Sequence, residues 1–120
     1  MKLEELMIGD WVYNYVANIT FKVYPQFFSQ WYNKPEQFDA TIHPVPITPE
    51  ILEKNGFEST YAPSEKVCKH NGYEVWLDNE GEKYWANIKK DEYYFEGYIK
   101  FVHHLQHALR LCGIEKEITL

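Results

Sequence analysis

The sequence predicts an α+β fold. We expect a bent antiparallel sheet of five or six strands, curved like a small barrel, with one C-terminal helix packed on one face. One short two-turn helix completes the predicted fold. Two observations lead to this prediction. Apolar and polar residues alternate along 66–88 between turn signals, and apolar residues recur at helical spacing along 97–112. The 120 residues, 45% of them hydrophobic, are enough to bury one core, so we predict a single domain over 1–120.

The chain opens with a predicted β-hairpin. Alternation along 7–16 indicates a first strand, and alternation along 19–24 indicates a second strand that pairs with it. The connecting turn at Ala17 and Asn18 is as short as a hairpin requires. An aromatic segment follows at 25–38 without a clean period. It either packs on the core as a lid through Phe27, Phe28 and Trp31, or binds a ligand.

The short helix is predicted over 48–57. Thr48 is a helix N-cap, and Pro49 suits the first helical position. Gly56 ends the helix in the left-handed conformation, and Phe57 can fold back on Leu52 as the apolar contact of a Schellman motif.

A three-stranded meander is predicted over 66–88. Asn71-Gly72 favours a type I′ turn, which sets Cys68 opposite Val75, and a second turn at 78–81 would set Val75 opposite Tyr84. Tyr93 to Phe95 is a candidate fourth strand. The predicted core face consists of Cys68, Tyr73, Val75, Leu77, Tyr84, Ala86 and Ile88, and the outward face of Lys69, Glu74, Trp76, Lys83, Trp85 and Asn87.

The C-terminal helix is predicted over 97–112, with Leu105 at the centre of an apolar stripe that includes Tyr98 and Phe101. Gly113 and Ile114 indicate a second Schellman ending, and the tail 115–120 could form an edge strand.

Composition excludes several classes of protein. The net charge is -6 and the only arginine is Arg110, which argues against binding to nucleic acid. No apolar stretch is long enough to span a membrane, and the acidic N-terminus is unlike a signal peptide. With only Cys68 and Cys112 in the chain, we expect reduced thiols and a cytoplasmic protein.

Two surfaces are candidate binding sites. The C-terminal helix carries Lys100, His103, His107 and Arg110, and there is no acidic residue between residues 99 and 113. One interpretation is that this face docks an acidic protein segment or a phosphate. The other is that the basic residues only complement the helix dipole. Trp76 and Trp85 lie diagonally on the outward face of the meander. They either bind a partner or are covered by the C-terminal helix or by 25–38.

The alternative to a binding surface is a metal-binding or catalytic site formed by the histidines. His103 and His107 have the i, i+4 spacing by which a helix offers two imidazoles to one metal ion, but the sequence supplies no third ligand beside them. Cys112 lies on the apolar stripe away from these histidines, and Cys68 and His70 are too far apart along one strand for direct proton transfer. No catalytic motif or phosphate loop is present in the sequence.

Three segments carry a family resemblance: L-E-E-L-M-I-G-D-W-V-Y at 3–13, H-P-V-P-I-T-P-E-I-L-E-K-N-G-F at 43–57 and Y-I-K-F-V-H-H-L-Q-H-A-L at 98–109. The chain resembles a family of small uncharacterised proteins that is frequent in phages and mobile elements of gut anaerobes. The resemblance implies that setting and no activity, cofactor or catalytic residue. The aromatic segment 25–38 and the histidines His104 and His107 depart from the family pattern.

The sequence therefore favours a non-catalytic interaction module without a cofactor, an accessory or regulatory protein of a phage or mobile element that binds a protein partner. The alternative is a histidine-dependent metal-binding protein or metalloenzyme. The sequence leaves the partner's identity and the oligomeric state open.

Overall fold

The computed structural model describes residues 1–70 and 72–120, and over them the α+β class is confirmed. The described residues form two compact units, one of residues 1–46 with 101–103 and one of 47–100 with 104–120. Their strands are divided between two antiparallel sheets, of three and five strands, instead of one bent sheet. None of the helices in these ranges is long and apolar enough to cross a bilayer.

The first unit contains the three-stranded sheet. A 3-10 helix at Leu3–Glu5 precedes strands β1 (Trp11–Asn14) and β2 (Ile19–Lys22), and helices α1 (Phe27–Trp31) and α2 (Pro35–Thr41) lead to β3 (Ile42–Pro44). Strand β1 is central, between β2 and β3. The predicted hairpin is confirmed, although its strands are shorter than the alternation indicates because Asn14 pairs with Ile19 across a longer turn.

The aromatic segment builds the core of this unit. Phe27 is fully buried, and its ring centroid lies 5.9 Å from that of Phe28 and 6.2 Å from that of Phe38. Phe28 and Trp31 are partly buried against the same cluster. The prediction that this segment packs on the core is confirmed, and two short helices replace the irregular excursion. The buried cluster consists of Leu6, Val12, Val23, Phe27, Phe38 and Ile42.

The second unit contains the five-stranded sheet. Its elements are α3 (Pro49–Lys54), β4 (Glu58–Ser59), β5 (Glu65–His70), β6 (Tyr73–Asn79), β7 (Tyr84–Lys90), β8 (Tyr93–Ile99) and most of helix α4 (Val102–Leu111), which begins in the first unit. The strands follow one another in chain order from β4 to β8, each antiparallel to its neighbour.

One strand register differs from the prediction. The pairing of β5 with β6 is confirmed, with Cys68 opposite Val75. In the turn that connects these strands, Gly72 has a φ of 82°, and Asn71 lies outside the described residues. The pairing of β6 with β7 is shifted by four residues, because β6 continues to Asn79 and places Val75 opposite Ile88. A shift by an even number keeps every side chain on its face. The predicted core and outward faces are therefore correct.

The C-terminal helix is shorter than predicted. Residues 97 to 99 continue β8, and α4 begins only at Val102, so Tyr98 is an exposed residue of the outward sheet face. Leu105 is buried, as the apolar stripe predicts. On the core face of the sheet, Val75, Leu77, Ala86 and Ile88 are also buried.

Both predicted Schellman endings are confirmed. Phe57 N donates to the Leu52 carbonyl at 3.0 Å, and Ile114 N donates to the Leu109 carbonyl at 2.9 Å. The tail 115–120 is not a strand. It is held by Asn55, whose Nδ2 donates to the Thr119 carbonyl at 2.7 Å and whose Oδ1 accepts from Thr119 N at 2.8 Å.

Candidate partner-binding face

The outward side of the five-stranded sheet, called here the outer face, collects residues from every strand of that sheet. Strand pairing sets three rows across it. Asp78 lies opposite Trp85 in the first row, and Trp76 lies opposite Asn87 in the second. The two tryptophans are diagonal neighbours, as predicted. In order across the sheet, the rows are Glu65, Asp78, Trp85 and Tyr98; Glu58, Val67, Trp76, Asn87 and Glu96; and Lys69, Glu74, Lys89 and Tyr94.

The aromatic rings of the outer face are fixed by neighbouring side chains. The Trp85 and Tyr98 ring centroids are 4.8 Å apart, in an edge-to-face arrangement. Lys69 Nζ lies 4.9 Å from the Trp76 ring centroid, and Lys83 Nζ lies 3.9 Å from that of Tyr98. These contacts are cation–π interactions, in which the negative ring face attracts a positive charge.

The carboxylates beside the tryptophans are also fixed. Thr60 Oγ1 donates to Glu65 Oε1 at 2.8 Å, and Ser64 Oγ donates to Asp78 Oδ1 at 2.7 Å. Both hydroxyls come from the loop between β4 and β5. Glu74 accepts from Trp76 Nε1 at 3.4 Å. The carboxylates are thereby held in place before any partner arrives.

A groove lies between the two tryptophans. It has a volume of about 350 Å³. Asn87, which pairs with Trp76, is one of its lining residues, and the Asn87 Oδ1 atom is buried with no hydrogen-bond donor among the residues that the structure describes. A buried carbonyl oxygen without a donor costs free energy, about 1–3 kcal/mol. The groove is lined by Glu65, Glu74, Trp76, Asp78, Trp85, Asn87 and Lys89.

The tyrosine hydroxyls at the β8 edge are hydrogen-bond donors. Tyr98 donates to Glu80 Oε1 at 3.2 Å, and Tyr94 donates to Glu96 Oε2 at 2.5 Å. The hydrogen bond to Glu80, together with its charge, raises the pKa of Tyr98. The Glu96 carboxylate raises the pKa of Tyr94 in the same way.

His103 is not on the exposed polar face where the helical period places it. Only 1% of the residue is exposed, and its ring stacks on Phe101 with centroids 6.0 Å apart. Its Nε2 lies 3.6 Å from Glu5 Oε2 in the 3-10 helix. Because α4 begins at Val102, His103 lies in its first turn, where it contacts Phe101 and Glu5 of the first unit.

The other predicted helix residues, Lys100, His107 and Arg110, belong to the second unit. Lys100 precedes the helix and lies 3.6 Å from Glu82. His107 is half-buried and Arg110 is exposed. Over residues 1–70 and 72–120, no group of three metal-ligating side chains contains both His103 and His107. Cys68 and Cys112 are free and buried, and burial raises the pKa of the Cys112 thiol.

The sequence predicts the outward positions of Glu74, Trp76, Trp85 and Asn87, but not the other three residues that line the groove, Glu65, Asp78 and Lys89. Glu65 and Lys89 lie just outside the predicted meander, and Asp78 lies in a predicted turn. Tyr98, the ring neighbour of Trp85, lies in the predicted helix. Continued alternation through Asp78 and through Tyr98 is the signal that places these two residues on strands.

Comparison with known proteins found no matching family model, no matching curated protein and no matching solved structure. The resemblance to small proteins of phages and mobile elements stays a prediction.

Proposed function

We propose that this protein is a non-catalytic interaction module that binds a protein partner through the outer face. One observation carries the proposal: Trp76 and Trp85 line an open groove on the side of the sheet opposite the core. On the core side, Val75, Leu77, Ala86 and Ile88 are fully buried, whereas the two tryptophans are only half-buried.

The arrangement has the features of a binding hot spot. Tryptophan is enriched among the residues that contribute most to protein–protein affinity, and such residues sit within a polar rim. Here the rim consists of carboxylates and lysines, and two of the carboxylates are held by hydroxyl groups. Because the tryptophans project from paired strands, little conformational entropy is lost when a partner binds.

The groove has an acidic and aromatic lining. Its residues are three carboxylates, two indoles, one amide and one lysine. The histidine-dependent alternative places function on α4 instead, where His103 is buried beside Glu5.

We propose the setting from the sequence resemblance alone. The module would be an accessory or regulatory protein of a phage or mobile element, and its partner would be a protein encoded by that element or by its host.

The test identifies a partner and then measures its affinity. The tagged protein is used to capture partners from an extract of its native source, and each captured protein is purified and titrated by calorimetry. We expect the variant Trp76→Ala/Trp85→Ala to bind at least about a hundredfold more weakly, since two hot-spot residues are removed. Tyr93→Ala is the matched control, because Tyr93 is exposed on the opposite face of β8 and pairs with Lys90.

Circular dichroism establishes that each variant is folded, and Trp76→Phe/Trp85→Phe, which keeps aromatic rings at both positions, provides a second comparison. Equal binding by wild type and the double alanine variant would overturn the proposal. If His107→Gln abolished binding instead, function would lie on α4.

A further inference from the structure

We propose that the groove between Trp76 and Trp85 receives the guanidinium group of an arginine side chain on the protein partner. This inference rests on the proposed function, because it names the chemistry that the outer face recognises. Three independent features of the face support it: its charge, the cations that it already holds, and the acceptors at its centre.

The charge of the outer face is complementary to a basic segment. Its three rows contain five carboxylates and two lysines. Complementary charge speeds the encounter of two proteins and selects against partners of the wrong sign. The excess of carboxylates therefore favours a basic segment over an acidic or a neutral one. The carboxylates belong to Glu58, Glu65, Glu74, Asp78 and Glu96, and the lysines are Lys69 and Lys89.

The chain already seats its own cations on the rings that flank the groove. Lys69 lies over Trp76 at one end, and Lys83 lies over Tyr98, the ring neighbour of Trp85, at the other. These two contacts place positive charge against aromatic rings of the outer face.

The centre of the groove offers hydrogen-bond acceptors. The carboxylates of Glu65, Glu74 and Asp78 line it. A guanidinium presents five N–H donors in a planar fork and also stacks on aromatic rings, whereas an ammonium is a compact, strongly hydrated charge. The acceptor set and the paired indoles therefore match arginine better than lysine. The volume of about 350 Å³ is within the range of side-chain and ligand pockets.

The experiment uses the whole protein and a defined probe, a blocked hexapeptide of alternating glycine and arginine. The indole N–H signals of the four tryptophans are followed by NMR during titration. We expect saturable shifts for Trp76 and Trp85, with Trp11 and Trp31 unchanged. A peptide with citrulline, which has the same shape without the charge, should bind at least about tenfold more weakly, since charge-assisted hydrogen bonds are lost.

Charge variants of the groove test the same inference with opposite signs. Asp78→Asn should weaken binding of the arginine peptide, and Lys89→Gln should strengthen it. Glu92→Gln is the control for Asp78→Asn, because it also removes one negative charge. Glu92 lies in the turn between β7 and β8, outside the groove, so this variant should leave the affinity unchanged.

Equal binding of the arginine and citrulline peptides, or of arginine and lysine peptides, would overturn the arginine assignment. So would a saturable response to a neutral oligosaccharide with none to the arginine peptide. If a captured partner needs Trp76 and Trp85 but is indifferent to Asp78→Asn and Lys89→Gln, the proposed function stands and this inference fails. If no partner needs the tryptophans, the proposed function itself fails.

Discussion

At the scale of single residues, Asn87 is unfavourable for the stability of the sheet. Its β7 neighbours Ala86 and Ile88 face the core, while Asn87 lies on the outer face and lines the groove. Its Oδ1 atom is buried and has no hydrogen-bond donor among the described residues. A buried acceptor without a donor lowers the stability of the protein.

We expect Asn87→Leu to raise the free energy of unfolding by about 1 kcal/mol, because an apolar side chain of similar shape removes the unsatisfied oxygen. Urea denaturation followed by fluorescence measures the stability. Asn79→Leu is the matched control with the opposite expected sign, because Asn79 Oδ1 accepts from Gly81 N at 3.0 Å. A less stable Asn87→Leu would mean that this oxygen is satisfied in solution.

At the scale of elements, the features that were predicted correctly depend on residues close together in the sequence. Thr48, Gly56 and Phe57 specify one helix within ten positions, and Gly113 with Ile114 ends another. The β6–β7 register was wrong because the polar run 78–81 resembles a turn, whereas the strand continues to Asn79 and the loop follows. Because the register shift is an even number of residues, both tryptophans stay on the predicted face of the sheet, and the candidate site stays with them.

Burial of His103 could not be predicted in the same way. The helical period places it opposite the apolar stripe, but its environment comes from Glu5, nearly a hundred positions earlier, and from Phe101 just before the helix. Non-local contacts of this kind leave no periodic signal in the sequence.

The contact between the 3-10 helix and His103 predicts a dependence of stability on pH. Burial alone would raise the pKa of Glu5, but the Lys2 backbone N–H, which donates to Glu5 Oε1 at 2.8 Å, and nearby His103 outweigh burial and lower it. A carboxyl group with a lowered pKa in the folded state stabilises the fold above its ordinary pKa, here 4.5. This stabilisation is lost as the pH falls through the folded-state pKa.

We therefore expect wild type to be more stable than Glu5→Gln near pH 6, and the difference to shrink as the pH falls below 4.5. Urea denaturation of both proteins across this range measures it. Glu4→Gln provides the control, because it removes a neighbouring exposed carboxylate and leaves the Lys2 and His103 contacts intact. A difference between wild type and Glu5→Gln that is constant with pH would contradict the assignment.

At the scale of the whole molecule, the chain passes between the two compact units more than once. Residues 101–103 belong to the first unit, and the chain returns to the second unit at His104, inside helix α4. Val102, His103, Leu105 and Leu109 are all buried. The ten residues of helix α4 are therefore divided between the two units.

We expect the two units to unfold in a single transition, in keeping with the prediction of one domain over 1–120. A unit of about 50 residues, such as the first, buries too little surface to be more than marginally stable by itself. A helix as short as α4 is also marginal without the burial of both of its ends.

The tryptophans provide separate probes, because Trp11 and Trp31 lie in the first unit and Trp76 and Trp85 in the second. In the variant Trp76→Phe/Trp85→Phe the remaining tryptophans report on the first unit, and in Trp11→Phe/Trp31→Phe they report on the second. We expect the two variants to have the same urea midpoint by fluorescence, after correction for the stability of each variant measured by circular dichroism. Two midpoints within one variant, one by fluorescence and another by circular dichroism, would mean that the units are independent domains joined by a helix that can open at residue 104.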